Sequence, residues 1–263
     1  MRRIIAPVAL AVSLTACGVS QQQEVQMGQE YSQQINAQLP IVRDPEANRY
    51  INVLGDQIAT KTSRADLDWH FYIVDSKEVN AFAVPGGYVY VNRGLIERTA
   101  NMDELAGVLG HEIGHVVRRH SIKQMEKQQG ANVGITLACV LTNICNSQAA
   151  GALINVGGTA VFARFSRQDE AEADQEAVAN TIRAGISPNG IVTMFEKLIA
   201  ERRSRPGAVE GFFATHPLEE DRITAVRGTI SSIPAAQLRG LSTNSANYTS
   251  FVRRIRSLPA PRQ

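Results

Sequence analysis

Two histidines four residues apart, with a glutamate directly after the first, occur once in this 263-residue chain, as His111-Glu112-Ile113-Gly114-His115. Residues i and i+4 share one face of a helix, so His111 and His115 can aim both imidazoles at a single point. Glu112 lies about 100° further round. It can face water at the same metal without competing as a ligand. The chemistry this suits is zinc binding by the two histidines, with the glutamate as general base. The alternative is a solvated amphipathic helix.

Catalytic zinc takes three protein ligands and leaves one position open, so a further ligand must come from elsewhere. Phe165-Ser166-Arg167-Gln168-Asp169-Glu170-Ala171-Glu172-Ala173-Asp174 has a helical pattern with alanines set among acids. Glu170 and Asp174 share a face. One of these carboxylates can bind metal while the other accepts a hydrogen bond from the outer nitrogen of a ligand histidine. Glu172 points away and is the weaker candidate. Taken alone, such an acidic stretch reads as a solvated face.

These groups need elements to position them. The motif lies in a helix expected from Asn101 to about Gln128, with Asn101 and Glu104 as a capping-box-like start and Asp103 and Glu104 at the positive end of the dipole. Helices are also expected over 25–39 and 45–61, with Tyr50, Val53, Leu54, Gln57 and Ile58 outlining the buried face of the second. Trp69–Val74 reads as a strand, with His70 on its polar face and no metal role. Asn80–Val84 and Tyr88–Val91 read as a hairpin joined by Pro85-Gly86-Gly87. An edge strand here, just before the motif helix, either holds an extended peptide by strand addition or is an ordinary sheet edge.

Residues 128 to 163 carry no charge. Neither apolar half of this insertion reaches the roughly 20 residues that span a membrane. A helical hairpin packed on the domain is expected, with a lid or membrane-contacting role as the alternative. After a helix from Asn189 to about Arg203 and a loop over 202–211, Thr215-His216-Pro217 precedes three acids, a helix start. His216 then reads as a regulatory metal ligand, an oxyanion stabiliser or a simple cap. Residues 231–263 read as short helix and basic tail.

The amino terminus reads as a targeting segment. Arg2 and Arg3 precede an apolar run from Ile4 to Leu14, and Leu14-Thr15-Ala16-Cys17 resembles a bacterial lipobox. Residues 1–16 are therefore expected to be a signal peptide, Cys17 a lipidated residue, 17–30 a polar tether, and 31–263 a single domain. Gly18 after the cysteine fits outer-membrane sorting. Cleavage after Ala16 removes Arg2 and Arg3, leaving 25 basic against 25 acidic residues. That balance gives no electrostatic case for nucleic acid. In an oxidising compartment Cys139 and Cys145 are expected to form a disulfide, the alternative being two buried thiols.

Three motifs in order, His111-Glu112-x-x-His115, Ser166-Arg167-x-x-Glu170-x-x-Ala173-Asp174 and the Asn80-Ala81-Phe82-Ala83 strand, resemble the zinc metallopeptidase family of the CAAX prenyl protease and HtpX. The likeness is strongest to its exported lipoprotein branch, the LoiP- and BepA-like proteases, and covers roughly Arg43 to Gly228. It implies an α+β, mainly helical, gluzincin-type domain with a small sheet and an active-site helix. It also implies one Zn²⁺ per chain on His111, His115 and Glu170, with Glu112 as base and Asp174 behind a ligand. The Asn80–Ala83 strand would line the substrate cleft, and His216 could take the fourth zinc position and hold the enzyme inactive. The expected function is a zinc endopeptidase, lipid-anchored to the periplasmic face of the outer membrane, that degrades unfolded or misassembled envelope proteins. An assembly chaperone that uses zinc for structure is the rival. The chain lacks the transmembrane helices of the prenyl protease and HtpX, which puts a membrane-embedded substrate in doubt.

Overall fold

A computed structural model describes residues 19–131, 164–205, 207–217 and 220–260. The signal segment, Cys17, Cys139, Cys145 and most of the uncharged insertion lie outside the described residues. The fold is α+β and mainly helical, as expected.

At its centre is α4, Met102–Val117, in which every residue is buried. A helix covered all round needs apolar residues on more than one face, and Leu105, Val108, Leu109, Ile113 and Val116 supply them. On one side lies a three-stranded sheet of β1 (His70–Val74), β2 (Ala81–Val84) and β3 (Tyr88–Asn92), in the order β1-β3-β2. The hairpin is present, with Ala81 opposite Val91 and Val84 opposite Tyr88. Gly86 and Gly87 turn the chain at φ of 82° and 101°, a region open to glycine at little cost. β1 joins β3 in parallel, which leaves β2 at an edge.

Strand alternation divides the sheet's side chains between two layers. Phe71, Ile73, Ala81, Ala83, Val89 and Val91 enter the main core with α2 (Pro45–Ala59) and α4. Phe82, Val84 and Tyr90 face the other way, where Ile35 of α1 (Gln21–Gln38) covers them. The stretch expected as a tether over 17–30 is thus helical from Gln21 onward. Ser20 and Gln23 close a capping box at its start, and buried Glu24 accepts hydrogen bonds from Arg64 and Arg119 at 2.8 and 2.7 Å. Its polar composition conceals one buried ion triad and a narrow apolar face.

The expected helix from 101 to 128 is two helices. After the short α3 (Arg93–Ile96), α4 stops at Val117 and α5 runs His120–Ala131. Between them Arg119 takes φ of 56°, a left-handed conformation that costs a non-glycine residue energy. Its guanidinium is held by Glu24 and the Val19 carbonyl. The start of α4 also differs from expectation. Asn101 makes no side-chain cap bond, and the Glu104 carboxylate accepts from the Ala100 amide at 2.7 Å.

On its other side α4 packs against α6 (Arg167–Arg183) and α7 (Asn189–Ser204). The approach is close because α4 offers glycines there. A Cβ on Gly114 would sit 2.9 Å from the Ala173 carbonyl oxygen, and one on Gly107 would sit 2.7 Å from the Ile191 amide nitrogen. The loop expected over 202–211 contains the end of α7 and the start of α8 (Glu210–Thr215). Beyond it lie α9 (Glu220–Ser231), α10 (Ala235–Leu238) and α11 (Ala246–Ser257). α11 docks on α2 through a Tyr50–Phe251 ring stack at 4.4 Å. No helix among the described residues is long and apolar enough to cross a membrane.

Candidate metal centre

The close packing of α4 on α6 brings the two motifs together. His111 and His115 lie one turn apart with their Nε2 atoms 3.1 Å apart. Glu170 comes from the first turn of α6, which Ser166 and Asp169 fix with a capping box. Its carboxylate oxygens lie 3.5 Å from each of those two Nε2 atoms. Asp174, one turn along α6, meets Nδ1 of His111 at 2.9 Å. The carboxylate pair read from the sequence as one ligand and one orienting group thus sits with Glu170 inward and Asp174 behind.

His216 arrives from the other direction. Its backbone N–H closes α8 on the Phe212 carbonyl, so it ends one helix rather than opening the next. Its Nδ1 lies 3.1 Å from Glu170 and 3.3 Å from Nε2 of His111. Its Nε2 lies 3.4 Å from Glu112. One ligand-type atom from each of His111, His115, Glu170 and His216 falls within 4.8 Å of all the others, and all four residues are buried. Among the described residues this is the one such group.

The donor set suits a cation. Asp174 draws the Nδ1 proton of His111 toward itself, leaving a lone pair on Nε2 that faces the bare Nε2 of His115. Two such lone pairs and a carboxylate converge stably only around positive charge. In the protein alone a proton can fill that role. Burial opposes charge on His111, yet hydrogen bonds to Asp174 and Glu170 lift its pKa to about 9. His115 is driven the other way by burial, well below its usual range. Burial alone would raise Glu170, but the imidazoles packed around it, His216 first and then His111 and His115, hold it well below the carboxylate norm. Glu112 is fully buried and burial raises its pKa. Neither of its oxygens has a hydrogen-bond partner among the described residues, nor does Nε2 of His216. Buried polar atoms without a protein partner are accounted for by a catalytic role, a water or an ion.

Three residues went unnoticed in the sequence. Arg222 of α9 donates twice to Asp174, at 2.9 and 2.7 Å, and also reaches Glu170 and the Pro217 carbonyl. Nothing in its local sequence sets it apart from other surface charges. His120 meets Nδ1 of His115 at 2.9 Å, a contact that the expected unbroken helix forbids. Phe165 stacks on the His115 ring at 3.9 Å, just ahead of the acidic motif. Glu172, set aside as pointing away, lies 3.3 Å from His120. His70 stands apart, stacked on Tyr88. Asn80, Ala81, Phe82 and Ala83 are buried. Asn80 precedes edge strand β2, which packs against α4.

A helix-borne pair of histidines, a glutamate beside them and a carboxylate from a second buried helix define a metallopeptidase domain. The chain belongs to peptidase family M48, whose profile matches residues 45–230. It is 35% identical over 216 residues to the beta-barrel assembly-enhancing protease of Escherichia coli K12, covering 78% of this chain and 43% of that protein. To metalloprotease LoiP of the same organism it is 28% identical over 223 residues, covering 84% of this chain and 86% of the relative. Metalloprotease YcaL, also from that organism, is 29% identical over 163 residues, 62% and 63% of the two chains. The chain thus spans less than half the length of the assembly-enhancing protease it matches.

Proposed function

We propose that this protein is a zinc-dependent endopeptidase of the bacterial cell envelope, acting on misfolded or misassembled outer-membrane and periplasmic proteins. The observation that carries the reading is the buried convergence of His111, His115 and Glu170 beside a glutamate whose two oxygens have no hydrogen-bond partner among the described residues. One zinc per chain would be held by those three residues. When bound, zinc acts as a Lewis acid that polarises a peptide carbonyl and makes water acidic enough to deprotonate near neutral pH. Glu112 takes the water's proton and delivers it to the leaving amine. Its burial, which raises its pKa, suits it to hold a proton between those two events. Asp174 fixes the tautomer of His111, and Arg222 holds both carboxylates in place.

The substrate class leans on the likeness to a protease whose name concerns β-barrel assembly. Edge strand β2, against the helix that carries the motif, supports strand addition by an extended polypeptide, with Asn80, Ala81, Phe82 and Ala83 lining the cleft. Lipidation at Cys17 after removal of residues 1–16 would tether the protein to the outer membrane, facing the periplasm. The folded body would then stand close to the lipid, because α1 begins at Gln21. A Cys139–Cys145 disulfide accords with that compartment.

A second reading has its own observation. His216 lies within the ligand group and beside Glu112, so it suits a fourth zinc ligand that holds the protease inactive. His216→Ala would then raise basal cleavage. If His216→Ala leaves cleavage unchanged at full zinc occupancy, His216 is not inhibitory. The test of the main reading is zinc content and casein cleavage for wild type and Glu112→Gln. Zinc near one per chain in both, with cleavage only in wild type, supports it. Cleavage by the variant at the wild-type rate excludes Glu112 as base. Rescue of an envelope-stress phenotype by the inactive variant would favour a chaperone instead.

A further inference from the structure

His111 and His115 are supported differently on their outer nitrogens. His111 has a carboxylate directly behind it, Asp174. His115 has an imidazole. Nδ1 of His115 lies 2.9 Å from Nδ1 of His120, and Nε2 of His120 lies 3.3 Å from Glu172, with Asp169 beyond at 3.7 Å. Glu172 is itself steadied by the Gln168 amide at 3.0 Å. His120 is 1% exposed and its contact with His115 is buried, while the Glu172 carboxylate behind it is partly open to solvent.

The direction of these hydrogen bonds follows from the site. His115 must present a bare Nε2 toward Glu170 and His111, so its single proton sits on Nδ1. His120 then accepts at Nδ1, carries its own proton on Nε2, and donates to Glu172. The order His115, His120, Glu172 is a carboxylate–histidine support lengthened by one ring.

The backbone makes it possible. In an unbroken helix a residue five along is turned about 140° away, and His120 would point off the site. The left-handed Arg119 turns the chain and starts α5 at His120, folding its ring back onto His115. Glu24 of α1, which also pairs with Arg64, holds that corner through Arg119.

We infer that His120 is a positioning residue for the metal site. As the hydrogen-bond acceptor for Nδ1 of His115, backed by Glu172, it fixes the tautomer and orientation of that ligand. This rests on the zinc reading of His111, His115 and Glu170. Outer partners of this kind typically change metal affinity 10- to 100-fold when removed.

Two conservative substitutions separate this role from packing. Asparagine places its amide oxygen where Nδ1 of His120 stands and keeps the acceptor for His115. Glutamine reaches the Nε2 position, keeps the contact to Glu172, and has no polar atom facing His115. Zinc dissociation constants from chelator competition on the full chain, with apo-protein melting curves alongside, give the readout. His120→Asn is expected within about threefold of wild type, and His120→Gln about tenfold weaker or more, in line with loss of an outer partner. Both apo proteins should melt together. Equal zinc affinity for the two variants overturns the inference, whether both match wild type or both fall. A wild type that takes up no zinc overturns the metal reading itself, and this inference with it.

Discussion

Arg222 grips Asp174 with both arms of its guanidinium, Nε to one carboxylate oxygen at 2.9 Å and Nη2 to the other at 2.7 Å, and the oxygen met by Nη2 also meets Nδ1 of His111. A cation on α9 thereby sets the orientation of a histidine on α4 through a carboxylate on α6. Burial penalises the Arg222 charge, but Asp174 and Glu170 outweigh it and raise its pKa.

Removing that cation leaves two buried carboxylates without their partner. Breaking a buried pair in this way costs about 3–5 kcal/mol, so Arg222→Ala should destabilise the apo protein on that scale in urea melts. Arg222→Lys should recover only part of it, because an ammonium cannot make the two-armed contact. A lysine variant as stable as wild type would show that charge alone suffices.

Asp174→Asn keeps the size of the side chain and weakens its hold on the His111 proton. Zinc affinity should fall by roughly 10- to 100-fold, measured by chelator competition, while secondary structure by circular dichroism stays unchanged. An unaltered affinity would mean that Asp174 serves only the salt bridge.

Gly114 sits where α4 and α6 meet. A methyl group there would stand 2.9 Å from the Ala173 carbonyl oxygen and 3.0 Å from the Glu176 side chain, so Gly114→Ala must push α6 outward and carry Glu170 with it. Overpacking of this kind costs about 1–3 kcal/mol. Zinc affinity should drop together with the urea midpoint. Since a glycine-to-alanine change inside a helix otherwise stabilises by up to about 1 kcal/mol, a more stable variant would contradict the packing argument.

Asp103, buried at the start of α4, has its pKa raised from 3.8 to about 6 by burial and by the neighbouring Glu104. The folded protein therefore binds this proton more tightly than the unfolded chain does. The group costs no stability below pH 3.8, where both states are protonated. It costs progressively more as pH rises through about 6, to a ceiling of roughly 3 kcal/mol at about 1.4 kcal/mol per unit. Asp103→Asn should flatten that part of the stability–pH curve, with its largest relative gain above pH 7. A variant whose urea midpoint follows wild type across pH 4 to 8 would exclude the effect.

The parts of the site legible in the sequence were those whose geometry is local. His111 and His115 share one helix face with Glu112 about 100° round from it, and Glu170 and Asp174 share another face, so spacing alone brought each group together. The hairpin was legible because Pro85-Gly86-Gly87 admits little else. What escaped depended on long-range contacts. Nothing local marks a helix break at Arg119, since no glycine or proline stands there and the turn is held by Glu24 some 95 residues earlier. That break is what brings His120 to His115. Arg222 likewise acquires its role only when α9 lands beside α6. The polar residues of α1 suggested a tether because its buried face is narrow, and its buried glutamate reads as a surface charge until its two arginines are known.

A single zinc is expected on His111, His115 and Glu170. Crystals of the full chain grown with equimolar zinc, with data collected on both sides of the zinc absorption edge, test it most directly. One anomalous peak should appear, about 2.0–2.1 Å from Nε2 of His111 and of His115 and about 2.0–2.2 Å from a Glu170 oxygen. Protein density at that point with no anomalous peak, or a zinc peak held by other residues, would contradict it.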